Sequence, residues 1–589
     1  MCRCRTIWKE QAMTKHTMDI EDEAQTATGS RISRRNFFKA AAAGTSGVAL
    51  GVVTVGSAAA QDWNEETEVV VVGSGGAALA AAVAALRNGA KVNIYEKGPV
   101  PGGTTGKSGG AFWVPNNPYM QEMGLEDPRD DAIRYMARLA YPHLYREDDA
   151  QFGMSQHTYD LLAAFYDNGA RVTRTLSESG AMGSLMAISW DGEPAPDYFA
   201  HLPENKAPNG RTVNPSDGEG GSGYGAHMIG QLAAFCEAQG APVITESQVT
   251  KIVLDDDRNV IGVEVTDYDG ARMIRATKGV IFGTGGFTQN AEMRDNYLRV
   301  PVFGGCAVPT NQGDLVNMAI EIGAKLGNMN EAWHQQEVLE EVLEFSSVPS
   351  GTWFLGGDSM IAVNKYGHRL YDEKFVYNER TRTHLTWDAV KGEYTNLYQF
   401  MIFDDHAIEY GGMLMPPPGA EMPSYIIKGE TLEELAANID ARLASLNDRI
   451  GHHRLADTFL DTLKGTIERF NGFAETGKDL DFNRGEQPID KHFHKPGANN
   501  DKPNPWMYPI TGSGPYYAII LSAGTLDTKG GPVTTADGQV VDVNDRPING
   551  LYAVGNCMAS PTGQAYFGAG GTLGPALTFG FMAGEHATS

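Results

Sequence analysis

The sequence predicts an α/β fold. A Rossmann-like nucleotide-binding domain is built from two separated stretches of chain, and an α+β cap domain is inserted between them. Two observations carry this. Residues 68–96 read EVVVVGSGGAALAAAVAALRNGAKVNIYE: a buried-strand run at 69–72, a glycine turn, an alanine-rich helix and a second strand at 91–95. Glycine-rich segments return at 279–286 and 550–556, whereas residues 331–500 differ in composition, with Trp333, many tyrosines and acidic helices such as 431–447.

Taken in order, the first turn is Gly73-Ser74-Gly75-Gly76-Ala77-Ala78. Gly73 permits a tight reversal, Gly75 lets backbone approach a pyrophosphate, and Ala78 allows close helix–strand contact. The helix that follows presents unpaired N–H groups and a partial positive charge to the phosphates. Glu96, about twenty residues on, suits a ribose diol. This is a dinucleotide fingerprint in its strand–turn–helix–strand setting. Residues 116–245 read as irregular and helical, with Asp197-Tyr198-Phe199-Ala200-His201 in a Pro/Gly-rich loop. Strands are expected at 249–254, at 260–265 and up to Phe282. The expected bodies are therefore 66–330 and 501–589 for the nucleotide domain and 331–500 for the cap, with the cleft between them as active site.

The 589 residues allow two or more full cores, and the formal charge of −26 argues against nucleic acid and anionic membrane surfaces as partners. Five cysteines are scattered, with no haem or zinc spacing, so no metal site is expected. Residues 1–60 read as an address with an extended leader. Arg34-Arg35 precede a weakly hydrophobic Ala/Gly/Val run and Ala58-Ala59-Ala60, the pattern of a twin-arginine signal with a small-residue cleavage site. Folded export to the periplasm is expected, without a stable membrane anchor. His452, His453, His492 and His494 are expected on the surface, because no carboxylate or cysteine pattern accompanies them.

Gly102-Gly103-Thr104-Thr105-Gly106-Lys107-Ser108-Gly109-Gly110 follows the second strand, and the segments at 279–286 and 550–556 stand in matching order. With these the chain resembles the flavoprotein family of fumarate reductases, succinate dehydrogenases and 3-ketosteroid Δ1-dehydrogenases over residues 66–589. The resemblance implies FAD, held by Gly73, Gly75, Gly76, Ala77, Ala78, Glu96 and Lys97. It extends that cradle to Gly103, Thr104, Thr105, Ser108, Gly109 and Gly110, and to Val249, Gly285, Gly286, Gly555, Asn556, Thr572 and Leu573. Members that bond FAD covalently carry a histidine in the glycine-threonine segment; none stands between Gly102 and Gly110, so non-covalent FAD is expected.

Two positions distinguish subfamilies. Fumarate reductases place an acid arginine in the cap motif and a second near the C-terminus. Here Tyr377 stands at the first place, and the segment around Gly563 to Ala576 contains no arginine. A dicarboxylate would be left without partners in a low-dielectric pocket. Both changes resemble 3-ketosteroid Δ1-dehydrogenases and similar cyclic-ketone dehydrogenases. That resemblance implies Tyr377 as the base for the α proton, Tyr566 and Gly570 as the ketone-oxygen clamp, and hydride transfer to the flavin. A phenol O–H and a backbone N–H aimed at a carbonyl oxygen form a small oxyanion hole. Tyr198 lies in the segment that supports the base, and His201 stands where the family carries tyrosine, either as a relay or as part of a reshaped pocket. Arg380 or Arg382 as the working residue is the alternative to Tyr377. The implied partners are a cyclic ketone and a quinone or periplasmic electron carrier. A fumarate-reductase-like ene reductase and a non-catalytic flavin carrier remain the other readings.

Overall fold

Val69, Val70, Val71 and Val72 are all buried, as a strand covered on both faces requires. They end the strand Glu65–Val72, which lies at the centre of a parallel array. On one side it pairs with Val92–Tyr95, and that strand with Val243–Ile244; on the other it pairs with Gly270–Phe282, which pairs in turn with Pro547–Ala553. Gln248–Leu254 and Val260–Asp267 join as antiparallel strands, within two residues of the expected limits. The computed structural model describes residues 62–299, 301–417 and 419–589, so the expected leader and its twin arginines lie outside the described residues. Among the described residues no helix is long and apolar enough to cross a membrane.

The helix Gly76–Arg87 is buried from Gly76 to Ala85 because helices enclose it. Small residues make this possible. A Cβ on Gly580 or Gly584 of the C-terminal helix Leu573–Thr588 would come within 2.2 Å of the carbonyl oxygens of Ala77 and Ala81. A Cβ on Gly283 would meet that of Ala78 at 2.8 Å, so Ala78 works by packing, as its position in the fingerprint suggests.

The inserted body is a five-stranded antiparallel sheet. Ala332–Val338, Tyr516–Thr528, Gln399–Asp404 and Met360–Val363 run in that spatial order, and Ile427–Gly429 also pairs with Tyr516–Thr528. The helices Leu432–Ser445 and Phe459–Thr476 cover one face through Ile439, Leu443, Leu463 and Phe470. Strand pairing thus carries this body to Thr528, past the expected limit at 500, because the apolar run 516–526 completes its sheet. The histidine expectation needs correcting. His494 is buried with Nε2 against the Lys374 carbonyl at 3.2 Å, His492 Nδ1 meets Ser189 Oγ at 2.6 Å, and His453 packs edge-on against Tyr398. Packing against Phe354, Phe493 and Tyr398 withdraws these imidazoles from full exposure, while His452 alone of the four is exposed.

Candidate active site

The carboxyl ends of the parallel strands open into a cleft of about 810 Å³. Gly73, at φ +96°, makes the reversal at its floor, and a Cβ there would stand 2.6 Å from the Gly283 carbonyl oxygen. Gly75 caps the helix Gly76–Arg87 with no side chain, so most of the first-turn N–H groups stay available to an anion; Gly76 N–H alone reaches Thr105 Oγ1, at 3.1 Å. A second uncapped helix start, at Thr572, faces the other end, where Leu573 and Ala576 line the wall.

Glu96 lines the cleft and is 7% exposed. Its two oxygens each accept one bond, from Ser74 Oγ and Gly98 N–H, both at 2.7 Å. Each oxygen keeps accepting capacity for a hydroxyl. Lys97 pairs with Asp314 at 2.6 Å, and Val249, Gly285, Gly555 and Asn556 complete the lining. Gly286 stands behind it, donating its N–H to Asp527 at 3.1 Å. Thr104 and Thr105 line both this cleft and the next cavity, whereas Ser108, Gly109, Gly110 and Thr572 line only the latter.

Asp527, which sequence reasoning missed, is buried where cleft and cavity meet. It also accepts from Asn311 and Asn556 at 3.0 and 2.8 Å. Burial pushes its carboxyl above the usual range. A charged residue closing an otherwise buried strand was the signal available in the sequence.

The second cavity, of about 1240 Å³, brings together Tyr198, Tyr377, Tyr566 and Gly570. The three rings form a mutually edge-on cluster, with centroids 5.8 Å apart for Tyr198–Tyr377, 5.1 Å for Tyr198–Tyr566 and 5.7 Å for Tyr377–Tyr566. The Tyr198 and Tyr377 hydroxyls share a 2.7 Å hydrogen bond. Burial pushes all three phenols above the ordinary tyrosine range, Tyr198 and Tyr377 well above it. Gly570 holds φ +89°, where a Cβ would overlap Phe112 at 2.4 Å. Its N–H donates to no backbone group among the described residues, which leaves it free for a ligand oxygen.

Each tyrosine arrives on a fixed piece of chain. Tyr198 sits in a turn pinned by Asp197, which accepts from Trp113 Nε1 at 2.7 Å and Arg211 at 2.5 Å. Arg211 also grips Asp127, and Tyr198 N–H donates to the Phe567 carbonyl at 3.0 Å. Burial raises the Asp197 carboxyl to about 6, against the pull of Arg211. Tyr377 begins the short helix Tyr377–Arg382.

Arg380 and Arg382, the alternatives to Tyr377, do not line this cavity. Arg380 is buried, donating to the Glu373 and Trp353 carbonyls, and Arg382 bonds Gln564 and Glu379. His201 is likewise not brought to the phenols. It lines a separate pocket with Arg138, Arg382 and Gln564, its ring against Phe199 and Phe375. The cause is local: the turn Leu202 N–H to Phe199 carbonyl sends the side chain away from that of Tyr198, and burial lowers the imidazole pKa.

Fold and site together define a dinucleotide-dependent oxidoreductase, with a nucleotide cleft opening into a cavity equipped for proton transfer. The chain belongs to the FAD binding domain family, whose model matches residues 68–573. It is 31% identical to 4-oxocyclohexanecarboxylate 2-dehydrogenase of Sinomonas cyclohexanicum, over 88% of this chain and 92% of that one. It is 30% identical to 3-oxosteroid 1-dehydrogenase of Mycolicibacterium smegmatis, over 88% and 96%. Among solved structures it is similar to 3-ketosteroid delta1-dehydrogenase from Sterolibacterium denitrificans in complex with 1,4-androstadiene-3,17-dione. There the TM-score is 0.74 at 28% identity, covering 89% of this chain and 99% of that one. The protein is an FAD-dependent oxidoreductase. Its residues fit the cofactor: a glycine cradle with no room for side chains, uncapped helix starts, and the hydroxyls of Thr284 in the cleft and Thr572 in the adjoining cavity, both buried without a hydrogen-bond partner among the described residues.

Proposed function

We propose that the protein dehydrogenates a ring ketone to an enone, using Tyr377 as the base. The observation that carries this reading is the 2.7 Å Tyr198–Tyr377 hydroxyl pair in the same cavity as Tyr566 and the free Gly570 N–H. A ketone α C–H ionises only if charge developing on the carbonyl oxygen is stabilised. Tyr566 O–H and Gly570 N–H are the donors for that oxygen. Tyr377 takes the α proton, and Tyr198 donates to the oxygen of Tyr377 while it is ionised. FAD, when bound, supplies the hydride acceptor for the β position. Trp353, Phe493, Leu526 and Ala569 give the cavity apolar walls for the ring. Relatives named for a cyclohexane ring ketone and for 3-oxosteroids support the substrate class. Electrons then leave to a quinone or a periplasmic carrier, and the twin arginines support export of the folded enzyme.

The test is turnover of cyclohexanone, 4-oxocyclohexanecarboxylate and a 4-en-3-ketosteroid with an artificial dye acceptor, with the product identified as the enone. Rapid reduction of fumarate or urocanate without ketone oxidation would overturn the reading in favour of an ene reductase.

A further inference from the structure

Polarity and exposure divide the cavity along its depth. Its inner end holds the three buried phenols and Gly570. Its mouth is formed by Pro349, Ser350 and Trp353, all exposed, together with Lys107 from the flavin-side segment. Lys107 is the one cation lining this cavity among the described residues, and within them it makes no ion pair. Its ammonium is anchored by a single 2.5 Å bond to the Val348 carbonyl, in the loop that forms the mouth. An ammonium carries three donors, so two remain for a ligand. The other charge on the wall, Asp527, is already engaged by Gly286, Asn311 and Asn556 at the nucleotide side.

We infer that Lys107 determines specificity by binding an anionic substituent, a carboxylate, borne by the ring ketone on the side remote from its carbonyl. This rests on the ring-ketone reading above, because the clamp at Tyr566 and Gly570 sets which end of the substrate points outward. A ring held at its ketone by the inner donors presents its far substituent to the mouth. There a carboxylate stays partly hydrated, so the desolvation that makes a deeply buried ion pair costly is largely avoided. A single cation suits one carboxylate and leaves a dicarboxylate half unmatched. Against a formal charge of −26, an unpaired ammonium at the entrance also gives an anionic substrate a local attraction.

The test compares 4-oxocyclohexanecarboxylate with its uncharged carboxamide on the FAD-loaded enzyme and on Lys107→Met and Lys107→Arg. The acid-to-amide ratio of kcat/KM should fall about tenfold in Lys107→Met, the lower range for a charge-assisted hydrogen bond at a partly exposed site. It should be largely retained in Lys107→Arg, and in the unmodified enzyme it should shrink as salt is raised. A parallel binding arm uses 4-hydroxybenzoate and phenol, aromatic mimics of the ring enolate with and without the carboxylate, followed by the change in flavin absorbance. The benzoate should bind more tightly than phenol, and Lys107→Met should erase the difference. An unaltered acid preference in Lys107→Met, or no preference in the unmodified enzyme, would overturn the assignment. If no ring ketone is oxidised at all, the dehydrogenase reading has failed, and the binding arm alone decides the role of Lys107.

Discussion

Tyr377→Phe removes one oxygen and little else. The ring keeps its edge-on contacts with Tyr566 and its packing against Phe493, with centroids 5.7 and 6.3 Å away, so the cavity should hold its shape. The Tyr198 hydroxyl loses its 2.7 Å partner, an unsatisfied group worth about 1–3 kcal/mol of stability. Loss of a general base lowers turnover by about 10²–10⁴-fold. Tyr198→Phe should do less. It withdraws one hydrogen bond from an ionised phenol, about 1.5–3 kcal/mol, which is roughly 10–150-fold in rate. The assay is the anaerobic rate of flavin bleaching by a ring ketone, together with exchange of the ketone α protons for solvent deuterium. Tyr377→Phe should stop exchange while the ketone still binds; Tyr198→Phe should slow both processes in parallel. Near-normal turnover in Tyr377→Phe, with activity abolished in Arg380→Ala or Arg382→Ala, would refute the base assignment.

Burial keeps Tyr377 protonated beyond the ordinary tyrosine range, while the working form is the phenolate. Turnover should therefore climb with pH from about 7 to 10 without a plateau, and a plateau starting below about pH 8 would count against a phenol base. Gly570→Ala forces a Cβ to within 2.4 Å of Phe112 at positive φ, so a loss on the order of 1–3 kcal/mol in thermal unfolding is expected. Acid precipitation should release FAD into the supernatant, because no histidine stands in the glycine-threonine segment; flavin fluorescence retained on the denatured chain would contradict this. Replacing Arg34 and Arg35 with lysine should leave FAD-loaded, unprocessed enzyme in the cytoplasm, as fractionation and immunoblotting would reveal.

The nucleotide cradle was legible because its determinants are local. Gly73, Gly75 and Ala78 each answer a constraint set within a few residues, and Glu96 closes the same βαβ unit. Tyr198, Tyr377, Tyr566 and Gly570 were grouped only through resemblance, since nothing in the sequence shows that the Tyr198 and Tyr377 hydroxyls, 179 residues apart, meet. The limit at 528 was missed because an apolar strand run suits either sheet. Which of the two roles open to His201 the fold favours was not legible, because a turn decides which way a side chain leaves, and the sequence marks the loop but not its direction. His494 looked exposed for a related reason: its partner is the Lys374 carbonyl, a backbone group that no side-chain pattern announces.

The two ends of the cavity are held by different means, and this bears on how such a site divides its work. At the inner end Arg211, Asp127 and Asp197 are fully buried and mutually paired, and the turn they fix carries Tyr198. Removing one partner there leaves a buried charge uncompensated, at a cost of about 3–5 kcal/mol. Gly568 has no room for a side chain beside Trp113 and Asp197, so the clamp loop is locked to the same network. Proton transfer needs this rigidity, because a hydrogen bond between two phenols is lost within a fraction of an ångström. At the mouth, exposed Trp353 and a lysine held by one carbonyl bond carry no comparable network among the described residues. A substitution at the rim can therefore change which ketone enters while the three phenols keep their positions. Position 107 lies on that rim, apart from the buried network that fixes the phenols.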